Sequence, residues 1–159
     1  MTKPIFHKED EWFMSKAITQ ANQAFKAGEV PVGALVVDAN QSILAESYNL
    51  KEKNFDTTAQ EESLAIKEAS KKLSNWRLSE CTLYVTLEPC PMCLFAALQA
   101  RLTRVVFGAY DAKAGSISLG YQFYRDERFN HRFDVVGGVL HYSCSQLISD
   151  FFRLRRKKL

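Results

Sequence analysis

Cys90 and Cys93 stand three apart in Pro89-Cys90-Pro91-Met92-Cys93, where an apolar strand-like stretch gives way to a helix. Residues at i and i+3 share a helix face, so both sulfurs can reach one ion. The positive end of the helix dipole and its free N–H groups favour thiolate, the form that binds metal. The same pair also reads as two small buried cysteines flanking a turn. Upstream, Glu62 falls in the first turn of another helix, where a carboxylate either complements the dipole or moves a proton. Together with one more ligand beside Glu62, the pair would hold a metal that keeps an open position for water. Such a metal lowers the pKa of that water toward about 7, and the glutamate relays the proton.

These groups need a scaffold, and the patterning supplies one. From Glu9 to Lys26, Phe13, Ala17, Ala21 and Phe25 recur every fourth residue, with Trp12, Ile18 and Ala24 widening the stripe. That spacing predicts an amphipathic helix, stopped at Gly28. "VGALVV" (32–37), a turn at 38–41 and "ILAESY" (43–48) predict a hairpin, followed by a polar loop over 49–57. Thr58 with Glu61 fits a capping box, which predicts a helix from Ala59 to Lys72. "TLYVT" (82–86) reads as a strand, Cys90 to Ala100 as a short helix, and "RVVFG" (104–108) as a strand. "FDVVGGVL" is a weaker strand, interrupted by two glycines. Ser145 to Arg156 closes the chain as a helix with Leu147, Ile148, Phe151, Phe152 and Leu154 on its apolar side, at least one of the two phenylalanines packing in the core. Strands alternating with helices imply a three-layer α/β domain whose crossovers make part of the sheet parallel.

Composition narrows the class. A chain of 159 residues, 47% hydrophobic and 25% charged, matches one ordinary globular domain over 1–159. The net charge of +3 permits a polyanionic partner without demanding one. "RLRRKKL" at the end holds five of the 21 basic side chains, either a phosphate-binding patch or a solvated helix end. The polar start and the lack of a long apolar run imply no signal peptide, no membrane span and a cytoplasmic protein. There, the four cysteines are expected as thiols or metal ligands rather than disulfides.

"EVPVGALVV", "TLYVTLEPCPMC", "RVVFGAYDAKAG", "NHR" and "SDFFRLRR" together resemble the bacterial tRNA-specific adenosine deaminases, of the zinc-dependent cytidine/deoxycytidylate deaminase superfamily. The resemblance spans nearly the whole chain. It implies a three-layer α/β/α cytidine-deaminase-like fold with a mixed central sheet, zinc as cofactor, and a homodimer. The implied reaction is hydrolysis of adenosine to inosine at the wobble position of a tRNA anticodon stem-loop. Carried over, Glu62 is the proton shuttle, and Cys90 and Cys93 are zinc ligands. Asn49, Val30 and Leu87 hold the target nucleotide, and Asp111 and Lys113 approach the anticodon backbone. Asn130, His131 and Arg132 grip the RNA, with Phe151, Phe152, Arg153, Arg155 and Arg156.

One departure bears on the chemistry. The family pattern has histidine, a small residue and glutamate in succession; this chain has Gln60-Glu61-Glu62, which puts Gln60 in the third ligand position. A neutral amide oxygen is a poorer zinc ligand than imidazole. Glu61 carries a better donor, but one residue of helix turns it about 100° away from position 60. Tyr110 stands where arginine is common in the family. Three readings follow: a deaminase whose zinc is held by Cys90, Cys93 and either Gln60 or Glu61, a deaminase-fold protein that binds tRNA or dimerises without turnover, or a variant of such a deaminase in which the ligand position has been altered.

Overall fold

The computed structural model describes residues 6–158, so the first five residues of the polar start and Leu159 of the basic tail lie outside it. In chain order the elements are α1 (Asp10–Lys26), β1 (Gly33–Val37), β2 (Ile43–Tyr48), α2 (Lys51–Asn54), α3 (Glu61–Leu73), β3 (Thr82–Leu87), α4 (Pro91–Gln99), β4 (Arg104–Ala109), a 3-10 turn (Phe123–Arg125), β5 (Asp134–Val136) and α5 (His141–Lys157). The strands form one mixed sheet in the order β2-β1-β3-β4-β5. β1 runs antiparallel to both β2 and β3, while β3, β4 and β5 are parallel.

Successive side chains of a strand point to opposite faces, and that period builds both cores. Ala34, Val36, Leu83, Val85, Val105 and Phe107 pack with Ala65 and Ala69 of α3 and Leu94, Ala97 and Leu98 of α4. Leu35, Val37, Tyr84 and Val106 face the other way, toward Phe13, Met14 and Ala17 of α1 and Cys144 of α5. The result is the expected α/β/α sandwich with a mixed sheet. Gly33 is required by the closeness of α1: a Cβ there would fall within 2.5 Å of the Ala21 nitrogen.

Three local expectations differ from the structure. The capping box does not form, because Thr58 donates both its N–H and its hydroxyl to Asp56 Oδ1 (2.8 and 2.7 Å). α3 therefore starts at Glu61 with Gln60 as its N-cap. The polar loop after β2 contains the single helical turn α2. α5 begins four residues early, since its first turn is mostly polar and solvated and only Cys144 in it is buried, which leaves no apolar stripe to read.

A buried ion pair pins α1 to the sheet. Asp10, 1% exposed, accepts hydrogen bonds from Arg104 Nη1 (3.0 Å) and Nη2 (2.8 Å), from the Tyr84 hydroxyl (2.7 Å) and from the His7 N–H (2.9 Å). Burial alone would raise the carboxyl, but Arg104, His7 and Tyr84 hold it below its ordinary value. A depressed carboxylate contributes stability above its unfolded pKa of about 3.9 and loses it as pH falls through the folded value. Asp10→Ala would remove the carboxylate facing the buried Arg104 cation and should cost about 3–5 kcal/mol at pH 7 by urea unfolding, with the gap narrowing below pH ~4. A cost under ~1 kcal/mol would show that the pair does not anchor α1.

Candidate active site at two helix N-termini

α3 and α4 both start beside the carboxyl end of β3. Their N-caps are Gln60 (φ −80°, ψ 153°) and Cys90 (φ −70°, ψ 167°), and neither side chain caps its own helix. The two turn toward each other instead. Gln60 Oε1 accepts hydrogen bonds from Cys90 Sγ (3.3 Å) and Cys93 Sγ (3.1 Å). Cys90 is half-buried, Cys93 is fully buried, and Ser63 Oγ lies 3.8 Å from the Cys93 sulfur. The Cys90 thiol is lowered to about 6, because Cys93 donates to its thiolate and the N–H groups of Cys93 and Met92 add to this against the cost of burial. Cys93 is pushed up by that same donation and by burial. At low pH both thiols thus face the amide oxygen; once Cys90 ionises, Cys93 has a second acceptor.

Glu61 and Glu62 are 6% and 2% exposed. Burial, then the neighbouring Glu62 charge, pushes Glu61 well above the carboxylate range. Burial also raises Glu62, against the hydrogen bond it receives from Glu61. Glu62 Oε2 is a buried acceptor with no hydrogen-bond partner. A cavity of about 200 Å³ is lined by Gln60, Glu61 and Glu62 alike. Gln60 is an extended N-cap rather than a helical residue, and Glu61, the first residue of α3, borders the same cavity without joining Cys90 and Cys93 in a group of metal donors among the described residues.

Val30, Asn49, Leu87, Cys90 and Asp111 also line this cavity. Asn49 is fixed there by donating to the Val30 carbonyl (3.4 Å) and accepting from the Lys51 N–H (3.1 Å). An adjoining cavity of about 550 Å³ shares Val30, Leu87 and Asp111 and adds Tyr110, Lys113 and Phe152. Phe151 is buried in the core at 7% exposure, while Phe152 stays 41% exposed. Arg153 pairs with Asp150 (2.7 Å), and Arg156 is exposed on the last turns of α5. His131 and Arg132 are not brought to this end. The His131 ring bonds the Leu102 carbonyl (2.7 Å), and Arg132 borders Thr103 and Asp134 at the amino end of β4, whereas Cys90 follows the carboxyl end of the parallel strand β3.

Two buried carboxylates that hold the walls escaped the sequence reading. Glu88 accepts from the Asp111 N–H (3.2 Å), the Ser118 N–H (2.9 Å) and the Ser118 hydroxyl (2.5 Å), tying the 110–118 loop over the cavity. Glu29 accepts from the N–H groups of Glu52 (3.2 Å) and Lys53 (2.7 Å), holding α2 beside Asn49. The available signal was a carboxylate two residues before Cys90, directly after a strand.

Among the described residues, no three His, Cys, Asp or Glu side chains group to hold a metal ion. Cys90, Cys93 and the Gln60 amide do converge. Zinc bond lengths of ~2.3 Å to sulfur and ~2.1 Å to oxygen put tetrahedral sulfur–oxygen edges at ~3.6 Å. The observed 3.1 and 3.3 Å are S–H···O hydrogen-bond distances a few tenths of an ångström shorter than that edge, so the three donors converge on one point without being set at metal-ligand spacing, and the buried Glu62 Oε2 has no hydrogen-bond partner beside them.

The family model of the MafB19-like deaminases matches residues 8–156. The chain is 47% identical to a tRNA-specific adenosine deaminase of Bacillus subtilis (strain 168), over 94% of this chain and 92% of that one. It is 44% identical to a protein of the same name from Haemophilus influenzae, over 94% and 86%. A solved structure from work on A-to-I editing by deaminases at the wobble position of transfer RNA superimposes with a TM-score of 0.80 at 35% identity, covering 86% of this chain and 98% of that one.

The thiol geometry predicts a pH profile. In metal-free protein, alkylation of Cys90 by iodoacetamide should rise with a midpoint at about 6. Cys81, raised by burial, and Cys144, pushed up to about 12 by burial, should stay unreactive. Peptide mass spectrometry across pH reads this directly. A Cys90 midpoint at the ordinary thiol value of ~8.5 would refute the Cys93 donation.

Proposed function

This chain belongs to the deaminase family that these relatives share, and we propose that it hydrolyses adenosine to inosine at the wobble position of a tRNA anticodon. The observation that carries the reading is Glu62: a buried carboxylate with a free oxygen, in a cavity bordered by Cys90, Gln60 and Asn49. Cys90 and Cys93, with the weaker amide arm of Gln60, would hold a zinc ion, whose chemistry when bound is to acidify water at neutral pH. Glu62 takes a proton from the attacking water and returns it to the ring nitrogen and the departing ammonia. The hydrogen bond donated by Glu61 keeps Glu62 able to accept it.

The small cavity is below the ~300–1,000 Å³ usual for ligand sites, so it suits one flipped base held by Asn49, Val30 and Leu87. The adjoining cavity suits the next nucleotide, with Asp111, Lys113 and Phe152 along it, Phe152 as a stacking face and Lys113 for phosphate. Arg153 and Arg156 supply further phosphate contacts. In a homodimer a second copy would present its His131 and Arg132 toward the same stem-loop. No helix among the described residues is long and apolar enough to cross a membrane, and a tRNA substrate fits a single-domain cytoplasmic protein.

Gln60 supports a second reading, in which the fold binds tRNA with little turnover. Zinc per chain and inosine formed on an anticodon stem-loop with adenosine at the wobble position separate the two. Gln60→His combined with Glu61→Ala should raise zinc affinity and inosine formation together, by about 10–100-fold. In that background Glu62→Gln should cut the rate by about 10²–10⁴ with zinc retained. Full zinc occupancy without inosine in the doubly substituted protein would end the deaminase reading.

Glu61 also makes a stability prediction. A carboxyl raised on folding contributes stability that is present below its unfolded pKa and lost as pH rises through the folded value. Metal-free Glu61→Ala should therefore gain stability over the parent as pH rises from 5 to 8, read from urea midpoints. A gain independent of pH would show that Glu61 does not carry a raised pKa.

A further inference from the structure

Cys90 and Cys93 are arranged as an oxidisable pair as well as a ligand pair. Cys90 borders the cavity, while Cys93 is fully buried one turn further along α4. N-cap and N3 positions set the two α-carbons ~5–6 Å apart, within the ~4.4–6.8 Å that a disulfide spans. Both sulfurs already converge on Gln60 Oε1, at 3.3 and 3.1 Å, through weak S–H hydrogen bonds, with Ser63 Oγ 3.8 Å from Cys93. An imidazole at position 60 would tie them through a strongly bound metal; the neutral amide does so poorly. Cys81 and Cys144, at the start of β3 and in α5, are buried and belong to neither helix N-terminus.

We propose that Cys90 and Cys93 form a reversible disulfide, a modification site that competes with metal for the same two sulfurs. The oxidant is a small-molecule disulfide such as oxidised glutathione. Cys90, the sulfur on the cavity, attacks one glutathione sulfur; that S–S bond breaks and the first glutathione leaves with the Cys90 proton. Cys93 then attacks the Cys90 sulfur of the mixed disulfide, and the second glutathione leaves with the Cys93 proton. Two protein thiols lose two electrons in all, and one oxidised glutathione becomes two reduced ones. The oxidised chain has no thiolate left for a metal, and reduction restores both. This inference stands whether or not the chain turns over tRNA.

The test uses the full-length protein, stripped of metal, equilibrated with oxidised glutathione, then unfolded and alkylated. Mass spectrometry should count a fall from four alkylatable thiols to two, with both losses on the peptide carrying Cys90 and Cys93 and four restored by dithiothreitol. Cys93→Ser should stop at a glutathione adduct on Cys90. With zinc present, Gln60→His should keep its four thiols at least ~10-fold longer than the parent. A parent that keeps four thiols, or halts as a stable Cys90 adduct, overturns the proposal. Should Cys93→Ser not fold, the thiol count of the parent decides by itself. Equal protection of parent and Gln60→His by zinc would overturn the role given to the amide.

Discussion

Two helices begin side by side at the carboxyl end of β3, and the site exists because they do. α4 is the crossover between the parallel strands β3 and β4, so its N-terminus must follow the end of β3. α3 packs against the same sheet face, Ala65 and Ala69 letting its backbone come close to Ala34 and Val36. With both helices so placed, the N-cap side chains Gln60 and Cys90 meet, and the first-turn groups Glu62 and Cys93 stand behind them. Glu88 and Glu29 brace the surroundings: each is a buried carboxylate that accepts backbone N–H groups from a loop and so converts loop into wall. Asp10 does the corresponding work at the far end, where a buried pair with Arg104 fixes α1.

The same convergence concentrates cost. Two adjacent carboxyls, two thiols and an amide share a largely buried site, and each charged form is penalised by desolvation. Burial raises both Glu61 and Glu62 above the ordinary carboxylate value, and both thiols find an acceptor in Gln60 Oε1. A histidine and a small residue at positions 60 and 61 would leave one carboxyl fewer to bury and offer a stronger metal ligand. Gln60 and Glu61 leave the site with two buried carboxyls and two free thiols in place of a stronger neutral nitrogen ligand.

Much of this was legible from residue types. The fourfold spacing of Phe13, Ala17 and Ala21 marked α1, and alternation in "VGALVV" and "TLYVT" marked the central strands, because a buried face must repeat with the period of its element. Cys90-x-x-Cys93 and Glu62 were legible as groups at two helix starts, because strand-to-helix boundaries and the i, i+3 spacing are local features. Where one local signal competed with another, the reading slipped. Thr58 and Glu61 spelled a capping box, but Asp56 offered Thr58 a nearer acceptor and the cavity took Glu61. The first turn of α5 carried no apolar stripe and so went unread.

By itself, then, the sequence determined the layers, the family likeness and the identity of the groups that can do chemistry, since these follow from periodicity and from side-chain type. Only the tertiary structure decided which of those groups share a site. It brought Asn49, Gln60, Glu62, Leu87, Cys90 and Asp111 around one cavity and sent His131 and Arg132 to the opposite end of the sheet. It also found Glu29 and Glu88, and it turned Glu61 inward beside Gln60. The reason is that convergence depends on crossovers, on where a helix starts and on what each buried polar group finds to bond. Those are contacts between residues far apart in the chain, and no local window of sequence contains them.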